Sequence, residues 1–190
     1  MRVMLIDENL ERRTELRTAL CESGCEVVEQ SDSMLDIISR VADLQPDMII
    51  IDTDSPSRDT LEHICVVSRD QPRPIVMFTQ DGSTDKIRAA LSSGVSSYVV
   101  DGLDPARIKP ILDVALTRFE EHQALRRELD QANAALAERK VVERAKGILM
   151  KQRNIGEAEA YQAMRKMAME RSMKMAELAQ QIIAASALLS

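Results

Sequence analysis

The sequence predicts an α/β fold, with a parallel five-stranded sheet in the first two-thirds of the chain and helices in the remainder. Through about residue 120, short apolar runs alternate with stretches of helical periodicity. Strands that alternate with helices in this way are typical of a parallel sheet covered on both faces. Hydrophobic residues make up 45% of the 190 residues, but aromatic residues only 2%. Aliphatic side chains and methionines must therefore fill the cores, and base-stacking platforms of aromatic residues are not expected.

Five apolar runs are predicted as strands: "RVMLI" (2–6), "CEVVE" (25–29), "DMIII" (47–51), "PIVMF" (74–78) and "SSYVV" (96–100). The third and fourth runs are almost wholly apolar, which suits central strands buried on both faces. Pro46 and Pro74 stand at strand starts, where a missing N–H does least harm. A final helix of this part is predicted from about Asp104.

A long helix is predicted next, because residues 105–146 contain no glycine. Apolar residues follow four-three spacing along it, namely Leu125, Leu129, Ala132 and Leu136. This spacing predicts a coiled-coil linker over residues 121–138, and a parallel homodimer would cover its apolar stripe. A surface helix that packs on its own chain is the alternative.

The C-terminal residues 139–190 are predicted to form a small three-helix bundle. One helix runs to about Arg153, and two more cover 157–170 and 174–189, with breaks at 154–156 and 171–173. The predicted core contains Ile148, Leu149, Ile155, Tyr161, Met164, Ala168, Leu178, Ala179, Ile182 and Ile183. Methionines 164, 167, 169, 173 and 175 are interpreted as flexible core filler. The predicted domains are thus 1–120, 121–138 and 139–190.

Charge is distributed unevenly along the chain. From Arg139 to Ser190 there are ten Lys or Arg against five Asp or Glu, a net charge of about +5. Fifteen basic against twenty-six acidic residues leave about −11 for the rest. Because salt screens fields within about 10 Å, a short basic module can bind a polyanion although the whole chain is acidic.

Two further sequence features bear on location and redox state. No stretch approaches the roughly 20 consecutive apolar residues of a membrane span, and no signal-peptide layout is present, so we expect a cytoplasmic protein without membrane contact. Cys21, Cys25 and Cys65 have no neighbouring His or Cys cluster. They are predicted to be buried free thiols rather than disulfides or zinc ligands.

Acidic residues follow two of the predicted strands. Asp7 and Glu8 end the first strand and Asp52 ends the third, so all three project from the carboxyl edge of the sheet. Carboxylates that converge there suit Mg²⁺, a hard cation that prefers oxygen ligands. The alternative is that each acid caps a following helix or solvates a loop.

The segments "MLIDEN", "IIIDTD", "VMFTQ" and "SSYVVDG" resemble consecutive landmarks of two-component receiver domains. The resemblance covers residues 1 to about 120 and implies a flavodoxin-like α/β fold. It also implies a sensor kinase as a possible partner that phosphorylates the domain. It implies that Asp52 is the phosphoacceptor and that Mg²⁺ is held by Asp7, Glu8 and Asp52. Thr79 would bond the phosphoryl oxygen, and Tyr98 would be the ring that reorients on activation.

One receiver landmark differs. Receivers usually carry Lys-Pro after the fifth strand, whereas this chain has Asp101 and Gly102. Asp101 would either bring a further carboxylate towards the pocket, where like charges repel phosphate, or turn outward and cap the next helix. The usual Lys is missing in either case.

The tail segments "ERAKGILM", "EAYQAMRKMAM" and "ELAQQII" together resemble the ANTAR module, an RNA-binding antitermination domain. Gly147 lacks a side chain beside two lysines, which would let a phosphate backbone or another helix approach closely. The predicted RNA contacts are Lys146, Gly147, Lys151, Arg153, Tyr161, Arg165 and Lys166. The basic residues among them can supply charge for phosphates, and the resemblance favours RNA as the partner. Helix packing at Gly147 and mere solubility from the basic residues are the alternatives.

The predicted function is that of a non-enzymatic regulator, similar to nitrate-assimilation antiterminators of the NasT type. It would bind hairpins in leader RNA, let RNA polymerase continue past a terminator, and be gated by phosphorylation or by a sequestering nitrate-sensor protein. A DNA-reading tail and a protein-docking tail are the alternatives. No nucleophile–base pair indicates an enzyme, and His63 and His122 stand isolated.

Overall fold

The computed structural model describes residues 1–31, 36–100 and 105–188. The chain divides into two compact units, Met1–Gln123 and Ala124–Ser190, which are described here one at a time. The predicted domain boundaries at 120 and 138 remain predictions.

The first unit contains a parallel sheet of five strands in the order β2-β1-β3-β4-β5. Each strand begins at, or one residue after, its predicted position, so the sequence-based strand predictions are confirmed. The strands are β1 (Arg2–Asp7), β2 (Glu26–Ser31), β3 (Met48–Thr53), β4 (Ile75–Thr79) and β5 (Ser97–Val100).

Helices cover both faces of this sheet, as the alternating pattern predicts. They are α1 (Leu10–Glu22), α2 (Ile37–Leu44), α3 (Arg58–Asp70), α4 (Thr84–Ser92) and the first part of α5 (Pro105–Arg153). Successive strand side chains point to opposite faces. Val3 and Leu5 therefore pack with residues of α1 and α5, whereas Met4 and Ile6 pack with residues of α2, α3 and α4.

The cysteine prediction is only partly correct. All three thiols are free, and Cys25 is buried in the core beside α1. Cys21 and Cys65 are exposed, because each lies on the solvent side of its helix.

The second unit ends in three helical segments around one small core. The end of α5, α6 (Glu157–Glu170) and α7 (Met175–Leu188) have the predicted breaks between them. Asn154 and Ser172 adopt left-handed backbone conformations, with φ of 51° and 50°, which stop the helices. The buried core contains Ala145, Leu149, Ala160, Met164, Ala168, Leu178 and Ala179.

Three of the predicted core positions in this bundle need correction. The buried stripe of α6 follows Ala160, Met164 and Ala168 at four-residue spacing, so Tyr161 lies one position off it and is 47% exposed. Ile148 is only half-buried, and Met169 is 71% exposed. The other four methionines pack in or against the core, as predicted.

None of the helices in the described ranges combines the length and the apolar character needed to cross a lipid bilayer.

Candidate functional site

Asp7 and Asp52 lie side by side at the carboxyl edge of the sheet. They are register partners of the adjacent parallel strands β1 and β3. The Asp7 side chain is fully buried and that of Asp52 is 12% exposed. The predicted convergence of these two carboxylates is therefore present, while Glu8 is exposed and lines an open cleft of about 460 Å³ beside them.

The Arg12 side chain lies among these carboxylates. Its Nη2 is 3.6 Å from Asp7 Oδ1, its Nε is 3.9 Å from Asp52 Oδ2, and its Nη1 is 2.5 Å from Asp54 Oδ1. Asp54 belongs to the loop after β3 and its side chain is 80% exposed. One guanidinium thus makes electrostatic contacts with three carboxylates, two of which lie at strand ends.

Local sequence explains why Arg12 points back over the sheet edge. Asn9 caps α1, since its side chain accepts hydrogen bonds from the N–H groups of Glu11 and Arg12 at 2.9 and 3.1 Å. The Asn9 N–H in turn donates to Asp7 Oδ1 at 2.7 Å. The cap therefore links the end of β1 to the first helical turn, where Arg12 stands.

The pKa values of Asp52 and Asp7 are both raised, chiefly by burial. Burial, followed by the charge of Asp7, raises the pKa of Asp52 to about 6, although Arg12 opposes the change. Burial also raises the pKa of Asp7, against the bond from Asn9 and the charge of Arg12. The pKa of Arg12 is raised, mainly by its hydrogen bond with Asp54. Desolvation opposes this change, and the charges of Asp52 and Asp7 add to it.

The donor chemistry fits a magnesium ion. Asp7 Oδ2 is buried without a hydrogen-bond partner in the described part of the chain, and Asp52 supplies further carboxylate oxygens. Bound Mg²⁺ would supply positive charge to the pocket and to an incoming phosphoryl group. Among the described residues, however, no group of three acidic, His or Cys side chains is arranged to hold a metal.

Thr79 and Tyr98 belong to one hydrogen-bonded network beside the pocket. The Thr79 hydroxyl donates to the Asp54 carbonyl at 2.9 Å and accepts from the Asp81 N–H at 3.1 Å. The Tyr98 hydroxyl donates to the Asp81 carbonyl at 2.7 Å. Ser55 donates to the Asp81 carboxylate at 2.7 Å. The network joins the loops after β3 and β4, and its centre is Asp81.

Sequence reasoning missed several of these groups. Arg12 carries one signal, because a cation in the first turn of a helix opposes the helix dipole and needs another reason to be there. No sequence signal marks Asp54 or Asp81, since single acidic residues in loops are common. Asp101, predicted as a switch residue, lies outside the described residues.

In the tail, Lys146 is placed differently from the other predicted RNA contacts. It is only 7% exposed, and its Nζ lies 2.6 Å from Glu143 Oε2 and 2.7 Å from Glu157 Oε1. Hydrogen bonds to these two glutamates raise the pKa of the Lys146 ammonium. Lys146 thus joins α5 to the first turn of α6, and its charge is already compensated.

Gly147 faces open space. A Cβ atom built there has no neighbour within 4 Å in the described chain, so packing against another helix of this chain does not explain the glycine. Lys151 lies one turn later on the same face and is exposed, as is Arg153. Neither of these two cations has an ion pair within the described ranges.

The outer surface of α6 carries the remaining predicted contacts. Tyr161 and Arg165 are four residues apart, both exposed, and therefore on one face. Lys166 is exposed beside them, and its Nζ is 3.9 Å from Glu170 Oε1. Tyr161 is the one aromatic residue of the bundle, and its ring is available to a partner.

Comparisons with known proteins agree with this architecture. The response regulator receiver domain family matches residues 3–113, and the ANTAR domain family matches residues 130–183. The transcriptional regulatory protein PdtaR of Mycobacterium tuberculosis is 28% identical over 182 residues, 96% of this chain and 89% of that protein. The nitrate regulatory protein of Klebsiella oxytoca is 38% identical over 80 residues, 42% of this chain and 20% of that protein.

Solved structures show the same fold. The signal receiver domain of NarL from Mycobacterium tuberculosis superposes with a TM-score of 0.54 at 22% identity, covering 60% of this chain and 94% of that one. The two family matches together define a regulator of the receiver-plus-ANTAR class, which is a non-enzymatic family. The chain belongs to the response regulator receiver family, and it carries an ANTAR domain after the receiver.

Proposed function

We propose that the protein is a transcription antitermination regulator whose ANTAR domain binds hairpins in nascent leader RNA. The observation that carries this proposal is the open space at Gly147, together with exposed cations and an exposed aromatic ring on the same bundle. The open glycine, the Tyr161–Arg165 pair on α6, and Lys151 and Arg153, which have no ion pair in the described ranges, offer the contacts that a structured RNA needs. In the course of regulation, RNA polymerase would pass a terminator that the bound hairpins prevent from forming.

Each group suits a different part of an RNA hairpin. Lys151, Arg153 and Lys166 supply mobile charge for phosphates. Arg165 can bond bidentately or stack, and the Tyr161 ring can stack on a base splayed out of a loop. Gly147 leaves room for the sugar-phosphate backbone. Lys146 takes the role of a positioning residue, because two glutamates already compensate its charge.

Dimerisation is the proposed means of reaching two hairpins at once. In α5, Leu125, Leu129 and Leu136 are 65%, 60% and 51% exposed, so the predicted stripe has no cover from its own chain in the described ranges. A second copy, packed in parallel, would bury it. Two linked RNA-binding modules then gain affinity through effective concentration.

The proposed targets are leader RNAs of nitrate and nitrite assimilation genes. The resemblance to antiterminators of the NasT type supports this target, as does the local identity with a protein called a nitrate regulatory protein. Input would come through the receiver, either from a sensor kinase that phosphorylates Asp52 or from a nitrate-sensing protein that sequesters the regulator. The departure at Asp101 favours the second route.

The test is fluorescence anisotropy of a labelled two-hairpin leader RNA, titrated with the full-length protein at two salt concentrations. We expect binding that weakens steeply with salt and that Arg165→Gln weakens by about tenfold or more. Lys174→Gln is the matched control, because it removes an exposed cation from another part of the bundle.

Each other outcome selects an alternative. If the Arg165 and Lys174 variants lose equal RNA affinity, the surface binds RNA through non-specific charge alone. Preference for duplex DNA over the RNA hairpins would favour a DNA-reading tail. Absence of salt-dependent binding to any nucleic acid would overturn the proposal in favour of a protein-docking bundle.

A further inference from the structure

The acidic pocket of the receiver already contains a cation that belongs to the chain. We propose that the Arg12 guanidinium is a built-in counter-ion that competes with Mg²⁺ for the Asp7 and Asp52 carboxylates. In the resting receiver Arg12 neutralises the pocket, and a divalent cation enters only when Arg12 swings out. This proposal does not depend on RNA binding by the tail.

Arg12 contacts one oxygen atom of each of the two carboxylates that a magnesium ion would use. Arg12 approaches Asp7 Oδ1 and Asp52 Oδ2 at 3.6 and 3.9 Å, and no hydrogen bond satisfies its buried Nε within the described chain. These are loose electrostatic contacts. A magnesium ion would bind carboxylate oxygens at about 2.1 Å and keep several of its waters, so a guanidinium against the same two carboxylates obstructs it.

A second buried atom of the pocket, Asp7 Oδ2, also lacks a hydrogen-bond partner in the described chain, and this supports the same competition. Asp7 is completely buried, yet its Oδ2 has no partner in the described part of the chain. A buried carboxylate oxygen without a donor is costly, and Arg12 leaves it unsatisfied. The metal-binding capacity of Asp7 is therefore retained while Arg12 occupies the other side of the carboxylate.

The Arg12 side chain also borders open space into which it can rotate when it leaves the two carboxylates. Its side chain is 30% exposed and lines the open cleft of about 460 Å³ together with Glu8 and Asp54. Its shortest contact, 2.5 Å, is to the exposed Asp54 carboxylate at the rim rather than to either buried acid. A guanidinium stays charged at any accessible pH, so exchange requires a rotation of the side chain and not a loss of its proton.

The competition sets the apparent affinity of the receiver for Mg²⁺. When a site is available only in a fraction of molecules, the apparent dissociation constant rises by the inverse of that fraction. Removal of Arg12 makes the site available in every molecule and deepens its negative potential. The variant Arg12→Gln should therefore bind Mg²⁺ about tenfold or more tightly than the wild type.

The experiment is calorimetric titration of the full-length protein with MgCl₂ after removal of metals with EDTA. Arg17→Gln is the matched control, because Arg17 is an exposed arginine one and a half turns further along α1. We expect tighter Mg²⁺ binding for Arg12→Gln and wild-type affinity for Arg17→Gln. Equal Mg²⁺ affinity in the two variants, or weaker binding in Arg12→Gln, would overturn the proposal.

Thermal unfolding and NMR provide readouts that do not require a calorimetric signal. Without metal, Arg12→Gln should unfold at a lower temperature than the wild type, and saturating Mg²⁺ should raise its Tm more than it raises that of the wild type. If the variant does not fold, the wild-type Arg12 Nε–H resonance is followed during Mg²⁺ titration. A shift towards the position of exposed arginines supports the exchange, and a resonance that stays fixed while Mg²⁺ saturates contradicts it.

Discussion

Asp7 and Asp52 are direct register partners on neighbouring parallel strands, and they share the one guanidinium of Arg12. A fully buried and a largely buried carboxylate in this position repel each other, and a single cation at 3.6 to 3.9 Å compensates them only in part. The receiver therefore stores a local electrostatic strain at its functional edge. That strain has a measurable effect on the stability of the domain.

The first prediction concerns the pH dependence of unfolding. The pKa of Asp52 is about 6 in the folded protein and about 4 in an unfolded chain, so the native state holds this proton more strongly. Ionisation between pH 4 and 6 consequently weakens the fold, and the loss is complete above pH 6. Asp52→Asn should remove up to about 3 kcal/mol of this penalty at neutral pH.

Thermal unfolding in EDTA at pH 4 to 8 measures this effect. We expect the Tm of Asp52→Asn to match that of the wild type near pH 4 and to exceed it by roughly 5 to 10 °C above pH 7. The control Asp43→Asn removes an exposed acid of the same unit and should show no such divergence. A Tm difference that does not change with pH would contradict the assigned cause.

A second prediction separates stability from RNA binding at Gly147. Because a Cβ there meets nothing within 4 Å, Gly147→Ala should stabilise the helix by about 0.5 to 1 kcal/mol through the better helix propensity of alanine. The same methyl group should weaken binding of the leader RNA if the backbone of a partner approaches this position. Denaturant unfolding and anisotropy titration measure the two effects on the same sample.

Gly156→Ala serves as the comparison for that variant, because a Cβ at Gly156 also has no neighbour within 4 Å. Gly156 caps α6, where the exchange gains no helix propensity. If Gly147→Ala binds RNA as tightly as the wild type does, close approach at Gly147 is excluded.

A third prediction distinguishes two lysines of similar sequence context. Lys146 is buried between Glu143 and Glu157, whereas Lys151 is exposed and has no ion pair in the described chain. Lys146→Met should lower the Tm because it disconnects α5 from the start of α6 and leaves two glutamates uncompensated. Lys151→Met should leave the Tm unchanged and should reduce the salt slope of RNA binding by about one unit or less. Reversed effects would show that Lys146 is the phosphate contact.

Much of this fold follows from simple sequence patterns. The apolar runs within 47–51 and 74–78 lie in β3 and β4, because a short apolar run suits a strand that is buried on both faces. The pairing of Asp7 with Asp52 follows as well, since parallel strands end at the same edge and β1 lies next to β3. Positions fixed by backbone periodicity are thus predictable.

Sequence patterns do not reveal the position of side chains whose direction the periodicity leaves open. Arg12 can be placed in the first turn of α1 from sequence, but a long flexible side chain has many rotamers, and only the assembled edge selects the one over the acids. Lys146 reads as one more cation until α6 brings Glu157 to it. Tyr161 is a single position from the buried stripe of α6, and a rotation of about 100° per residue turns a core residue into an exposed one.

The last prediction concerns the exposed stripe of α5. Leu125 and Leu129 are 65% and 60% exposed, and burial of a leucine is worth about 1.5 to 3 kcal/mol, so their replacement by glutamine should abolish most of the drive to dimerise. The double variant should raise the dimer dissociation constant by at least about a hundredfold. Sedimentation equilibrium over a wide range of protein concentrations measures it. Met169→Gln, which removes a still more exposed apolar side chain from α6, should leave the dimer intact. A wild-type chain that stays monomeric at all concentrations would contradict the parallel dimer and would favour a different partner for the stripe.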